Sequence, residues 1–235
     1  NPITKEMITT GVVTENIDDC YYRNTNKRSD ISTKAIGDFH SFVKKSIITN
    51  NSVKGGLLLD MSCGKLGDLN HWLDAKQSMC VGIDICHDNL DNVSGGACNR
   101  VLSKTAKVQD ILLDNILLIW GDSSKNIRDG RAGRDELNKY YLDIVYGNID
   151  TNSIKNSKLR RFYEIGSVEK GAGFDTVSCQ FSIHYFFNNE NNINMFLSNV
   201  SNSLKTGGKF ICTCLNGSLI FSELNNTDKI IEYDT

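Results

Sequence analysis

The 235-residue sequence predicts an α/β domain with a Rossmann-like, mostly parallel central sheet. Three observations predict it. An apolar run, Leu57-Leu58-Leu59, ends in Asp60 and enters a glycine-bearing turn, Met61 to Asp68, followed by a helical stripe and a second apolar run. Such a strand, turn, helix, strand succession is a βαβ unit with parallel strands. Acids recur at the carboxyl ends of three successive runs: Asp60, Asp84 and Asp122. Finally, a helical stripe of Ile193, Phe196, Leu197, Val200 and Leu204 is closed by Gly207-Gly208 before a further strand.

The elements follow in order. Residues up to about Ile31 have little periodicity and read as a loop or arm, with an aromatic and basic cluster at Tyr21-Tyr22-Arg23 and Lys27-Arg28-Ser29. Lys27 and Arg28 are equally well explained as solvated charges. Ile36, Phe39, Val43 and Ile47 recur at helical spacing, which predicts an amphipathic helix with Lys44 and Lys45 at its edge, ended by Gly55-Gly56. The strand Leu57 to Asp60 comes next, then a helix on which Leu69, Trp72 and Leu73 share a face, then a strand over Met79 to Ile85. A helical stretch around Gly96 to Lys107 precedes the strand Ile116 to Trp120 and its loop Gly121-Asp122-Ser123-Ser124.

Residues 126–173 are polar and charged, an elaboration of the sheet fold with one helix where Leu137, Tyr140, Tyr141 and Ile144 form a stripe. Phe174 to Gln180 is the next strand and Phe181 to Phe187 its loop, with the last strand over Phe210 to Leu215.

Composition removes several classes of function. The net charge of −2 is too small for holding nucleic acid by bulk electrostatics, so an RNA ligand needs a local pocket. No run approaches the roughly 18 apolar residues of a membrane span, and the polar amino terminus lacks the apolar stretch of a signal peptide. An intracellular chain without a membrane partner is expected. The eight cysteines are scattered without Cys-x-x-Cys pairs or histidines at zinc-ligand spacing. They read as buried free thiols, Cys212 and Cys214 on one strand face, and no metal site is indicated.

In an open α/β sheet, a nucleoside cofactor binds outside the carboxyl ends of the strands, where the strand order reverses. Gly64 and Gly67 allow close backbone approach there. Asp60 and Asp68 suit the ammonium and sulfonium charges of S-adenosylmethionine and would repel a pyrophosphate, which argues against NAD. Asp84, about 20 residues beyond the turn, stands where an acid accepts hydrogen bonds from a ribose, a place NAD enzymes also fill. Asp122 and Ser123 are candidates for an adenine edge. Each acid singly is as well explained by a helix cap or a solvated loop; three at successive strand ends are not.

Three segments carry a family resemblance: Phe42-Val43-Lys44, the loop Asp60 to Leu69, and Ser178-Cys179-Gln180-Phe181-Ser182-Ile183-His184-Tyr185. From about Tyr21 to Leu224 the chain resembles the eukaryotic and viral mRNA cap guanine-N7 methyltransferases, whose pattern Ser-Cys-Gln-Phe-x-x-His-Tyr is the most diagnostic of the three. The resemblance implies a class I S-adenosylmethionine-dependent methyltransferase fold and S-adenosyl-L-methionine as cofactor, leaving as S-adenosyl-L-homocysteine. It further implies that Lys44 pairs with the methionyl carboxylate, Ser62 and Asp68 line the methionine end, and Gln180 stands near that moiety. Asp84 would hold the ribose, with Asp122 and Ser123 facing the adenine. Phe181, His184 and Tyr185 would shape the guanine pocket, Lys65 would approach the cap phosphates, and Asn216 falls in a segment like the family's Pro-Asn-Ser stretch. Apart from the resemblance, His184 reads as well as a core histidine, and Phe186 and Phe187 read as core aromatics.

Ser62 and Leu66 replace two glycines of the cellular loop, and residues 124–174 exceed the cellular connection, resembling capping enzymes of large DNA viruses. Those enzymes often fuse triphosphatase and guanylyltransferase domains. The expected organisation is one methyltransferase domain over 1–235, with an arm at 1–31 and a catalytic core at 32–235, excised from a longer capping enzyme. The family's carboxyl-terminal strands, with a cap-contacting Glu and aromatic, have no counterpart before Thr235. The expected partner is a capped RNA 5′ end, in a viral cytoplasmic factory or virion, or in the nucleus of a cell. No general acid or base is expected, since guanine N7 already carries a lone pair. A noncatalytic module of a capping complex, and a methyltransferase with another RNA or small-molecule acceptor, are the competing readings.

Overall fold

The computed structural model describes residues 31–225, with side chains over 34–222. The expected arm, with its Tyr21 and Lys27 clusters, lies outside the described residues. Helix α1 (Ile31–Asn51) leads into β1 (Leu57–Asp60), α2 (Leu69–Asp74), β2 (Met79–Asp84), α3 (His87–Asp91), α4 (Ala97–Thr105) and β3 (Ile116–Trp120). After it come α5 (Glu136–Tyr146), β4 (Phe174–Gln180), α6 (Glu190–Ser203), β5 (Leu204–Thr213) and α7 (Gly217–Asn225).

Among the described residues the sheet has five strands in the order β3-β2-β1-β4-β5, every pair parallel. Strands β1, β2 and β3 are almost wholly apolar because both faces are covered, whereas β4 is buried yet carries Asp175, Thr176 and Ser178. Successive side chains alternate between two cores. Leu58 and Cys80 enter one with Ile48, Leu69 and Trp72, while Leu59, Val81 and Val177 enter the other with Leu142, Phe196 and Val200. The order reverses between β1 and β4, and the amide of Met61 donates across this line to Ser178 O at 2.9 Å. No helix among the described residues is long and apolar enough to cross a membrane.

Several expected boundaries move for local reasons. Helix α6 starts at Glu190 because Asn189 caps it, its side chain accepting from the Asn192 amide at 2.9 Å. Leu204, read as the end of that helix, opens β5 instead. The strand is irregular there: Phe174 pairs with Leu204 but Thr176 with Lys209, and Gly207 takes a φ of +83°. On α5 the buried face carries Asn138, Leu142, Ile144 and Val145, whereas Leu137 is exposed. Helix α1 forms as expected and buries Ile48, but Ile36 and Phe39 of the predicted stripe are exposed. Cys63, Cys80 and Cys179 are buried free thiols, while Cys98 is exposed; Cys214, expected on the face of Cys212, lies beyond β5 and is exposed too.

Candidate active site

The turn after β1 is stitched to the end of β2. Cys63 donates its amide to Ile83 O at 3.0 Å, and Gly64 donates to the Asp84 carboxylate at 2.7 Å. This close approach favours Gly82, since a Cβ there would fall 3.0 Å from Cys63 Sγ and 3.1 Å from Leu118 Cδ2, and those side chains would have to give by a few tenths of an ångström. Gly82→Ala is therefore expected to cost about 1–3 kcal/mol through overpacking and to shift the turn. Thermal melting reads this; an unchanged melting temperature would mean that Cys63 yields without strain.

Gly64 has a φ of +54° and no heavy atom within 4 Å of where a Cβ would stand, so its face is open. Leu66, where the related loop has glycine, keeps a left-handed φ of +57°. That conformation costs a leucine about 1–2 kcal/mol. Burial offsets it: the Leu66 side chain is wholly enclosed in the core with Ile48 and Trp72, worth roughly 1.5–3 kcal/mol.

Around this turn Asp60, Asp84 and Asp68 are each held by different partners. The Asp60 carboxylate accepts from the Ser62 amide at 3.0 Å and is almost fully buried. Burial pushes its pKa up to about 8; the Ser62 bond and Lys44 pull it down, and Asp68 and Asp84 raise it further. Asp84 is also raised by burial, against bonds from the Cys86 amide (2.9 Å), Asn89 Nδ2 (3.1 Å) and Gly64. Its hold on Cys86 and Asn89 turns the chain into α3, a helix too short to announce itself by periodicity. Asp68 forms an ion pair with Lys44 Nζ at 2.6 Å, which ties α1 to the start of α2. Lys44 is thus on the turn, its Nζ 4.0 Å from where a Cβ on Gly67 would stand.

At β3 the Asp122 carboxylate accepts from the amide and hydroxyl of Ser124 at 2.9 and 2.6 Å, and Arg134 Nη2 stands 4.0 Å away. The Ser123 hydroxyl is buried and donates to Met61 O at 2.7 Å, joining this loop to the glycine turn. At β4, Gln180 Nε2 donates to Ser178 Oγ (3.1 Å) and Ile211 O (3.3 Å), while its Oε1 accepts from Thr213 Oγ1 at 3.1 Å.

The loop after β4 begins with Phe181 at a left-handed φ of +54°, its amide held by Thr213 O and Oγ1, both at 3.0 Å. Its ring lies 4.4 Å, centroid to centroid, from that of His40 on α1. His184 and Tyr185 are neighbours at 4.2 Å; burial lowers the pKa of His184, and Tyr185 is 46% exposed. Phe186 stacks on Phe196 as a core aromatic, whereas Phe187 is exposed, contrary to its reading as core. Lys65 is turned towards Asp88, at 3.8 Å, and Asn216 Oδ1 accepts from the Leu219 amide at 3.2 Å.

The strand ends thus bring together the glycine turn, three carboxylates, Lys44 and the β4 loop. His40 and Thr213 were not legible as site residues: each meets Phe181 from a distant stretch of chain. Two polar surface concavities elsewhere, against residues 126–173, are lined by paired charges such as Arg128 with Glu169 (2.7 Å) and Arg131 with Asp129 (2.6 Å). They offer no comparable constellation.

Residues 10–233 match the family model of the mRNA (guanine-N(7))-methyltransferase domain. A probable mRNA-capping enzyme of Acanthamoeba polyphaga mimivirus is 29% identical over 210 residues, covering 89% of this chain and 16% of that protein. An mRNA cap guanine-N(7) methyltransferase of Meyerozyma guilliermondii is 29% identical over 197 residues, covering 81% of this chain and 30% of that one. The chain thus spans less than a third of either relative. The crystal structure of the PH0226 protein from Pyrococcus horikoshii OT3 aligns with 88% of this chain and 68% of its own, at 19% identity and a TM-score of 0.46.

Proposed function

Because the chain belongs to the mRNA (guanine-N(7))-methyltransferase domain family, we propose that it methylates N7 of the guanosine cap of RNA with S-adenosylmethionine as donor. One observation carries the reading: β1 and β4 lie side by side at the reversal, with Met61 N bonded to Ser178 O, so the acidic glycine turn after β1 and the Gln180 to Tyr185 segment leave the same edge of the sheet. A nucleoside cofactor and an acceptor base delivered to that line would be neighbours.

The residues present fit a cationic nucleoside. Asp60 is a carboxyl that burial holds well above its ordinary range, where a cation would find a partner, and the open face at Gly64 is free of any Cβ. S-adenosylmethionine supplies an electrophilic methyl group on a sulfonium. Asp60, Ser62, Gly64 and Asp68 would line the methionine end, and Lys44 would exchange part of its pairing with Asp68 for the ligand's carboxylate. Asp84 has acceptor capacity left for ribose hydroxyls. Asp122 would take the adenine amino group, with Ser123 acting through the loop backbone, since its hydroxyl is committed to Met61. Gln180 acts by holding the ends of β4 and β5 together.

On the acceptor side, Phe181, His184 and Tyr185 would form the guanine wall, His40 would back Phe181, and Lys65 would swing from Asp88 to the cap phosphates. N7 needs no deprotonation, so the protein's work is orientation, worth about 7–11 kcal/mol in well-aligned systems. The burial-lowered pKa of His184 keeps its ring neutral near neutral pH. A neutral ring adds no like charge beside a guanine that becomes cationic.

The reading extends to one methyltransferase domain, intracellular, serving a capped RNA 5′ end beside triphosphatase and guanylyltransferase activities. The small share of the mimivirus relative that the chain covers leaves room there for such neighbours. The test is methyl transfer from labelled S-adenosylmethionine to a capped dinucleotide and to its uncapped counterpart. Label at N7 of the capped substrate alone is expected. Absence of cofactor binding would leave a noncatalytic module, and label only in a non-cap acceptor would move the activity to another substrate.

A further inference from the structure

Asn199 lies on the apolar stripe of α6, between Phe196 and Val200, and is 2% exposed. An amide there is costly unless every group is bonded. It is: Nδ2 donates to Ser123 O at 3.0 Å and Lys125 O at 2.7 Å, and Oδ1 accepts from the Ile127 amide at 3.3 Å. All three partners belong to the loop that leaves β3. From its other side the same loop is fixed to the glycine turn by Ser123 Oγ on Met61 O, and within itself by Ser124 on Asp122. Where the chain returns, an isolated antiparallel bridge joins Gly121 to Gly133 and the Asp122 amide donates to Ala132 O at 2.8 Å.

We propose that Asn199 is a positioning residue that sets the adenine wall of the cofactor site, an inference that rests on the cofactor reading above. It touches no ligand. It holds the backbone of 123–127, and thereby Asp122, at the height where a carboxylate meets the donor at adenine N6. A serine-to-turn bond at one end and a helix-borne amide at the other leave the loop one position. Without Nδ2 the carbonyls of Ser123 and Lys125 turn to water and the loop relaxes away from the base. The methionine end has anchors of its own besides the Ser123 bond, in Asp60 on the Ser62 amide and in the Asp68–Lys44 pair.

The experiment compares two nucleosides on the whole chain: S-adenosylhomocysteine, and S-inosylhomocysteine, in which the N6 donor is replaced by a carbonyl that Asp122 repels. Wild type is expected to prefer the adenosyl compound. Asn199→Ala is expected to lose about tenfold in affinity for it, the scale of one or two buried hydrogen bonds, with binding of the inosyl compound unchanged, so that selectivity collapses. Ser123→Ala, which frees the loop's other anchor, is expected to lower selectivity in the same direction, and decides the matter should Asn199→Ala not fold. An equal loss for both nucleosides, or selectivity retained in the variants that fold, overturns the assignment and leaves Asn199 a packing residue. A wild type that binds neither nucleoside overturns the cofactor reading itself, and the inference with it.

Discussion

Replacing Asp84 with alanine is expected to weaken cofactor binding by roughly 10²- to 10⁴-fold, the value of two charge-assisted hydrogen bonds at about 1.5–3 kcal/mol each. The effect is large because the carboxylate serves twice. It binds the Gly64 amide of the turn and, through Cys86 and Asn89, starts α3, and the same oxygens have capacity for a ribose. The single substitution therefore loosens the cradle and removes the ligand's partner. Titration calorimetry with S-adenosylhomocysteine measures the loss, and Asp84→Asn separates the parts: an amide of equal size keeps the volume but cannot accept at both oxygens. An alanine variant that binds within twofold of wild type would remove Asp84 from the cofactor site.

The second large effect concerns protons. Asp60 titrates near 3.8 when unfolded and about 8 when buried, so between these values the folded chain holds a proton that the unfolded chain has lost. The contribution of Asp60 to the stability of the ligand-free chain is thus fully present at low pH and is lost as pH rises through that window. A cationic ligand has the opposite preference: it favours the ionised carboxylate, so its affinity should rise towards pH 8 and binding should release a proton. Asp60→Asn is expected to raise the melting temperature of the free chain at pH 8 and to cost roughly 10- to 100-fold in affinity for S-adenosylmethionine, the range of a charge-assisted bond. Melting curves across the window, and binding heats in buffers of different ionisation enthalpy, give both quantities. If the variant melts like wild type at pH 8 and its binding keeps the wild-type pH dependence, Asp60 is not the group that titrates.

The first three strands were legible because parallel strands buried on both faces read as apolar runs: Leu57 to Asp60, Met79 to Asp84 and Ile116 to Trp120 stand where those runs stand. Phe174 to Gln180 also stands where it was expected, although Asp175, Thr176 and Ser178 interrupt its apolar pattern. What failed was whatever depends on a few local bonds. Helix α3 exists through the Asp84 carboxylate, and the early start of β5 at Leu204 depends on a bulge with a left-handed Gly207. Spacing located α1 correctly and misjudged its face, since periodicity reports which side chains align and not what covers them. The acids of the site were legible for the same reason as the strands, each standing where an apolar run stops. Their partners were not: Asn199 reaches Ser123 from 76 residues away, and nothing in a single stretch of sequence announces such a pairing. A polar residue interrupting an otherwise apolar helical stripe was the available sign, and both Asn199 and Ser203 carry it, the latter bonded to Tyr146 OH at 2.7 Å.

Leu66 couples the backbone of the turn to the packing beneath it. Its left-handed backbone is compatible with a leucine because the side chain is enclosed among Ile48, Leu69 and Trp72. A change to glycine would relieve the backbone and leave a void beneath the turn. Sequences that share this leucine should therefore share the large residues around it, while those with glycine should fill the same space from α1 or α2; position 66 and its lining evolve as one unit.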